Sequence, residues 1–223
     1  MGYNPLYSAI PMEAIPRHQC LVYEGAPSLH LTALARVVRD KLRHNYRCLY
    51  LNTRPMVAGM QSCLAAEGVD VGHEVEKRSL LLTSEQAHLT DGRFDVKRML
   101  KMLEEALAQA LNDGYAGLWA TGDMSWEMGS EKNLAKLLAY EWRLERFLQA
   151  HPEMGGICQY RADTLPREAV RQGLTAHPAI FLNETLSILN PHYTRPEDAT
   201  PEAVENPALD AAVWQLWQQA GPA

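Results

Sequence analysis

Two residues near the start of the chain, His18 and Cys20, have types and a spacing that suit soft-metal ligation or activation of a thiol. They begin a segment that predicts a β-strand, where residues two apart point to the same face. Cys158 would lie nearby if its strand were a neighbour. The three residues lack the CxxC spacing of a zinc motif, and a buried cysteine is more often an apolar filler. We therefore assign no metal and expect no cofactor.

A second set of polar side chains follows the predicted strands. In open α/β sheets, ligands gather outside the carboxyl ends of the strands. The residues at those ends are Tyr23, Glu24, Asn52, Thr53, Thr83, Ser84, Glu85, Thr121, Gly122, Asp123, Gln159 and Tyr160. These residues include acids and hydroxyls but no lysine. We expect a ligand site at the carboxyl ends of the strands.

The turn after the first strand, EGAPSLHL, stands where many nucleotide-binding domains have a phosphate loop. Such a loop needs converging backbone N–H groups, glycines and a lysine. Here Pro27 lacks an N–H, and the Glu24 carboxylate would repel a polyphosphate. The turn favours a neutral or cationic ligand over ATP. The alternative is a plain connecting turn with Ser28 as the helix N-cap.

The segment ATGDMSWEMG offers a further candidate site. Trp119 and Trp126, with Met124 and Met128, could form an apolar wall for a small hydrophobic ligand. The alternative is that these side chains are ordinary core residues.

Glu141 falls within the apolar stripe of a predicted helix, where a carboxylate needs a partner. Arg143 and Arg146 point elsewhere on that helix, so we expect a partner from another element and a buried ion pair. His151 and His177 each follow a helix and are assigned structural roles.

Short apolar runs that alternate with amphipathic stretches must position these residues. The runs predict strands at residues 20–23, 48–52, 79–83, 117–121, 155–160 and 179–183. The clearest helix repeats apolar residues from Val96 to Ala110, with Asp95 as its N-cap and Asn112–Gly114 as its end. Strands without polar faces that are separated by helices are typical of a mostly parallel sheet in a three-layer α/β sandwich.

The chain divides into four parts. We predict an N-terminal arm over residues 1–17, one domain over 18–193, a linker over 194–206 and an amphipathic helix over 207–223. The net charge of −6 argues against a dominant nucleic-acid surface. No apolar run is long enough to span a bilayer, and the first residues do not resemble a signal peptide. The four cysteines are widely spaced, so we expect reduced thiols in a cytoplasmic protein.

Several segments resemble, in order, the MEDS domain, a sensory domain named for methanogens, methylotrophs and the regulator DcmR. They are HQCLVYEG, RCLYLN, LTDGRFDVKRMLKMLEEAL, GYAGLWATGDMSW, LLAYEWRLERFL, ICQYRADTLP, TAHPAIFL and NPHYTRPED. The match covers about residues 16–198. It implies a RecA/KaiC-like fold without ATP-binding motifs and a role in sensing small molecules, with hydrocarbon derivatives proposed. The family positions map to His18, Cys20, Asp123 and Cys158.

We expect a non-catalytic sensory module that binds a small organic ligand and signals through protein association. The candidate ligand-binding residues are His18, Cys20, Tyr23, Glu24, Trp119, Asp123, Trp126, Cys158 and Tyr160. Expected partners are a signalling kinase, a transcription regulator or a second copy of the chain, with no direct nucleic acid or membrane contact. The alternatives are a thiol- or metal-dependent enzyme using His18, Cys20 and Cys158, and a scaffolding protein derived from a KaiC-like ATPase.

Overall fold

A central sheet is built from the apolar runs of the sequence. The computed structural model describes residues 16–84, 94–125 and 134–198. Its strands are β1 (His18–Tyr23), β2 (Tyr46–Asn52), β3 (Leu80–Ser84), β4 (Gly117–Asp123), β5 (Met154–Arg161), β6 (Ala179–Asn183) and β7 (Leu186–Leu189). Their order in the sheet is β3-β2-β4-β5-β1-β6-β7. Every pairing is parallel except the antiparallel pairing of β6 with β7.

Helices cover both faces of this sheet. They are α1 (Leu31–Arg43), α2 (Arg54–Ala66), α3 (Val71–Glu76), α4 (Val96–Asn112), α5 (Leu134–Ala150) and α6 (Arg167–Ala176). One core, which contains Tyr23 and Trp119, packs with α1 and α2. The other contains Cys20 and Cys158 and packs with α4, α5 and α6. The predicted three-layer α/β sandwich with a mostly parallel sheet is thereby confirmed.

The strongest local prediction concerned α4. Asp95 caps its first turn by accepting hydrogen bonds from the backbone N–H groups of Lys97 and Arg98. The chain leaves the helix through Gly114, whose φ of +84° suits glycine. Asp95 is therefore the N-cap, as the sequence predicted.

Four features differ from the sequence predictions. The short helix α3 and the edge strand β7 were not predicted, because each has too few residues for a clear periodicity. Ser28 is not an N-cap, since a 3₁₀ turn over Pro27–His30 leads into α1 and no side chain caps either element. Asp123 belongs to β4 as its last residue and does not follow the strand.

Some predictions concern residues outside the described ranges. These are most of the N-terminal arm, the end of the linker, the C-terminal helix, Trp126 and Met128. Among the described residues, no helix combines the length and apolar character needed to cross a bilayer.

Candidate functional site

Four buried side chains meet between the sheet and the helices α5 and α6. His18 opens β1, Glu141 lies in α5, Cys158 lies on β5, and His177 directly follows α6. One nitrogen, oxygen or sulfur atom from each lies within 4.8 Å of the corresponding atoms of the other three. We call these four residues the His-Glu-Cys cluster. It lies toward the amino end of β1, away from the carboxyl ends where we expected a site.

His18 is placed between two carboxylates from α5. Its Nδ1 lies 2.9 Å from Glu145 Oε2, and its Nε2 lies 3.4 Å from Glu141 Oε2. Burial alone lowers the pKa of His18, but the hydrogen bonds with Glu141 and Glu145 outweigh burial, and the pKa is raised. A protonated His18 offsets the charge that the two glutamates bring into the protein interior.

His177 packs against His18, with ring centroids 3.9 Å apart. Its Nδ1 lies 2.6 Å from the carbonyl oxygen of Gly173, the acceptor that assigns the proton to Nδ1. Its Nε2 is buried, has no hydrogen-bond partner in the described part of the chain, and lies 3.7 Å from Glu141 Oε2. Burial, and then repulsion from His18, lower the pKa of His177 to about 4. At neutral pH the ring therefore presents a lone pair on Nε2 to the cluster.

The Glu141 carboxylate stands at the centre of these contacts. Tyr160 donates its hydroxyl to Oε1, and the Cys158 thiol lies 3.8 Å from Oε2. Burial raises the pKa of Glu141, but the attraction of His177 and the contacts of His18 and Tyr160 outweigh burial, and the pKa is lowered. The expectation that Glu141 finds its partners on other elements is confirmed.

A chain of hydrogen bonds leads outward from the cluster. Glu145 Oε1 accepts from the Tyr193 hydroxyl and from the Gln149 amide, both at 2.8 Å. Tyr193 is partly exposed and Gln149 is exposed. These contacts fix the second carboxylate, which in turn fixes the ring of His18.

An apolar pocket adjoins the cluster beneath α4 and α5. Its volume is about 50 Å³. The lining includes Leu49, Leu51, Met99, Leu103, Ala120, Gly122, Met124, Leu144 and Met154. Four side chains in the lining carry an N–H, O–H or S–H group: His18, Thr121, Tyr140 and Cys158. His18 and Cys158 thus belong both to the cluster and to the wall of this pocket.

The other candidate residues occupy different places. Cys20 is buried in the same core as Cys158, and its thiol lies 3.7 Å from the carbonyl of Ala179. Burial raises its pKa, which does not favour thiolate chemistry at Cys20. Tyr160 is buried and contributes its hydroxyl to the cluster.

Three candidates surround the carboxyl end of β1. The Tyr23 hydroxyl donates to Asp123 Oδ2 at 3.4 Å, and Asp123 also accepts from the backbone N–H of Ser125. Glu24 is exposed in the turn that follows. This group is separate from the apolar pocket, whose lining does not contain Tyr23, Glu24 or Asp123.

Trp119 faces the opposite side of the sheet from the apolar pocket. The Lys41 ammonium lies 4.1 Å from the centre of its ring, in a cleft that also contains Asp40 and Glu184. Met124 lines the apolar pocket instead. Trp119 and Met124 therefore do not form one wall, and the other two members of that predicted wall, Trp126 and Met128, lie outside the described residues.

Three residues of the cluster and its surroundings were not predicted as site residues. Glu141 was predicted only as a member of a buried ion pair. Glu145 lies one turn after Glu141 on the same face of α5, and this spacing could have revealed it. His177 gave no such signal, because its burial depends on the packing of α6 against β1 and β5.

Most of the chain matches a known protein family. Residues 17–178 match the family model MEDS, the methanogen/methylotroph, DcmR sensory domain. The chain belongs to the MEDS family. A search of curated proteins found no match to the chain.

The MEDS region contains all four residues of the His-Glu-Cys cluster, with His177 one residue before its end. Tyr193 lies beyond it. Since the family is described as a sensory domain, membership indicates a sensory or signalling role for residues 17–178.

Proposed function

We propose that this MEDS chain is a non-catalytic sensor that binds a small organic molecule in the apolar pocket beneath α4 and α5. The observation that carries the proposal is the pocket itself, with an apolar lining and the polar side chains of His18 and Cys158 in its wall. Pockets of this character are typical of small-molecule sites, where a few polar groups fix the orientation of the ligand.

The size of the pocket limits the ligand. An engineered protein cavity of about 150 Å³ accepts benzene, and this pocket has about 50 Å³. A molecule of roughly three non-hydrogen atoms, such as a short alcohol, amine or haloalkane, would fit without rearrangement. At the ceiling of about −1.5 kcal/mol per atom, its Kd would be no tighter than roughly 0.5 mM. A hydrocarbon derivative present at millimolar concentration is therefore the proposed ligand class.

Binding would act on a partner by stabilising one of two conformations. The pocket contacts α4 and α5 as well as β2, β4 and β5, so an occupied pocket resists any sliding of those helices on the sheet. The proposed readout is a change in association, either with a second copy of the chain or with a signalling kinase or transcription regulator.

A thermal-shift series with one- to three-carbon alcohols, amines and haloalkanes tests the binding step. At a ligand concentration of about 100 times Kd, binding stabilises by about 2.7 kcal/mol, which raises the Tm of a domain of this size by roughly 5–10 °C. Toluene, which exceeds the pocket, should give no such shift.

The variant Ala120→Leu fills the pocket and should abolish the response, whereas Ala58→Leu on the exposed face of α2 should keep it. A series without any stabilising compound would contradict the proposal, as would an undiminished response in Ala120→Leu.

A further inference from the structure

Four of the six ligand-atom distances within the His-Glu-Cys cluster match those around a tetrahedral metal ion, and all six are within 4.8 Å. Zinc–ligand bonds of about 2.0–2.3 Å place neighbouring ligand atoms roughly 3.3–3.8 Å apart in a tetrahedron. Glu141 Oε2 lies 3.4 Å from His18 Nε2, 3.7 Å from His177 Nε2 and 3.8 Å from Cys158 Sγ. The fourth short distance, 3.6 Å, joins His18 Nε2 to Cys158 Sγ.

Both histidines already have the orientation that metal ligation requires. A metal-binding histidine usually donates its second ring N–H to a carboxylate or a backbone carbonyl. His18 Nδ1 faces Glu145 at 2.9 Å, and His177 Nδ1 faces the carbonyl of Gly173 at 2.6 Å. Each Nε2 is left to point into the cluster.

The unsatisfied Nε2 atom of His177 is a further sign of a bound ligand. This nitrogen is buried and has no hydrogen-bond partner among the described residues. A buried polar atom without a partner is costly and calls for an explanation such as an ion. A metal bound at the centre of the cluster would satisfy its lone pair.

The buried negative charges of the cluster are also ones that a divalent cation would offset. Glu141 is fully buried and Glu145 nearly so, and a Cys158 thiolate would add a third negative charge beside them. His18 offsets one charge when protonated, but it becomes neutral when it binds a metal. A divalent ion would then reduce the net charge of the group from −3 to −1, and the Glu145 carboxylate would accept a hydrogen bond from the His18 N–H.

We propose that His18, Glu141, Cys158 and His177 form a binding site for one Zn²⁺ ion. Two imidazole nitrogens, one thiolate and one carboxylate in a tetrahedral arrangement favour zinc over magnesium or calcium, which prefer oxygen ligands in larger numbers. The site does not depend on the proposed sensor function. Its position gives the apolar pocket a metal ion at the wall formed by His18 and Cys158.

Cobalt substitution tests the ligand set on the intact protein. Full-length chain, stripped of metal with a chelator under reducing conditions, is titrated with Co²⁺ and then with Zn²⁺. We expect saturation at one equivalent, intense visible bands from tetrahedral cobalt and a near-ultraviolet charge-transfer band from a thiolate ligand. Zinc should displace the cobalt and raise the Tm.

Variants assign the bands to residues. Cys158→Ser should remove the charge-transfer band, and His177→Gln should weaken zinc binding by more than 100-fold. Glu145→Ala removes only the hydrogen bond behind His18 and should weaken binding by about 10–100-fold. The matched controls Cys63→Ser and His44→Gln lie outside the cluster and should bind like the original chain.

Two further results decide between ligand sets. Cys20→Ala should keep the full spectrum, because Cys20 faces the carbonyl of Ala179. Far-ultraviolet circular dichroism verifies that each variant is folded. The site is refuted if the stripped, folded chain binds neither cobalt nor zinc, or if Cys158→Ser keeps the charge-transfer band. Loss of the band in Cys20→Ala with retention in Cys158→Ser would favour a His18–Cys20 set instead.

Discussion

Arg47, on β2, is nearly buried and donates a hydrogen bond to the carboxylate of Asp113, just after α4. Its guanidinium also lies 4.7 Å from the centre of the Tyr115 ring. The hydrogen bond from Arg47, aided by one from the Gln109 amide, holds the pKa of Asp113 below its ordinary value. This pair ties the end of α4 to the sheet.

The low pKa predicts how acid affects stability. A carboxyl group whose pKa is depressed in the folded state stabilises the protein above its unfolded pKa of about 3.9, and this contribution is lost as the pH falls through the folded value. Asp113→Asn should therefore lower the free energy of unfolding by a constant amount between about pH 5 and pH 7. The difference from the original chain should shrink below about pH 4.

Urea unfolding at several pH values measures this difference. In a second pair of proteins that carry Arg47→Met, the same Asp113→Asn change should have a much smaller pH-dependent effect. A difference that stays constant down to about pH 2.5 would contradict the assignment.

Single residues also mark the limit of what a sequence predicts about this site. Glu141 was recognisable because a carboxylate interrupts an apolar helical stripe. Cys158 was recognisable only as a conditional neighbour, since its contact with His18 requires that β1 pairs with β5. His177 was assigned a structural role, because a histidine that follows a helix is usually explained by the helix end. Its contact with His18, which lies 159 residues earlier in the chain, cannot be predicted from that local pattern.

The helix α6 packs against the sheet at a glycine. A Cβ atom on Gly173 would lie 2.5 Å from the ring of Tyr160, whose hydroxyl contacts Glu141. The carbonyl of Gly173 also accepts the His177 N–H. Gly173 thus lets α6 pack close enough to position two residues of the site.

Gly173→Ala is therefore expected to destabilise the protein. Alanine is favoured over glycine in a helix by about 1 kcal/mol, but the clash with Tyr160 should outweigh this and cost about 1–3 kcal/mol. Gly72→Ala in α3 is the matched control, since its Cβ would approach Asp70 Oδ1 at an ordinary 3.6 Å. We expect Gly72→Ala to be neutral or slightly stabilising in denaturant unfolding. Equal stability of the Gly173→Ala and original chains would show that α6 can move away.

Elements were predictable in proportion to their length and periodicity. The 17-residue helix α4 carried a full apolar stripe, a capping aspartate and a terminal glycine, so its bounds were predicted almost to the residue. The six-residue helix α3 and the four-residue strand β7 carried no such repeat. The strand β7 exists because it pairs with β6, which is a tertiary contact that residues 186–189 do not encode alone.

On the scale of the whole molecule, the sheet of the described residues extends from His18 to Leu189 along the chain. The sequence predicts an amphipathic helix over residues 207–223, which lie outside the described residues. We proposed that the protein signals through association, and this helix is the segment expected to carry it.

Deletion of residues 199–223 should therefore leave the fold intact and reduce self-association. Near-ultraviolet circular dichroism and the Tm should be unchanged within about 2–4 °C, which corresponds to roughly 1 kcal/mol in a domain of this size. Light scattering over a range of concentrations measures the association. A truncated chain that associates as strongly as the full chain would assign this role to another surface.

The sheet order was the part of the architecture that the sequence could not supply. Apolar runs and intervening helices predict a parallel sheet, but they do not state that β1 lies between β5 and β6. The expected site at the carboxyl ends followed from a general rule for such sheets. The His-Glu-Cys cluster is a separate arrangement near the start of β1, where α5 and the residue that follows α6 converge.

The interior position of β1, between β5 and β6, has a consequence for how the protein is made. Cys158 is synthesised 140 residues after His18, and the β6 neighbour follows later still. At about 5–20 residues per second, the ribosome needs on the order of ten seconds to supply the first of these neighbours. During translation the apolar segment HQCLVY therefore has both of its edges open, and nascent chains should depend on chaperones until the last third of the domain has emerged.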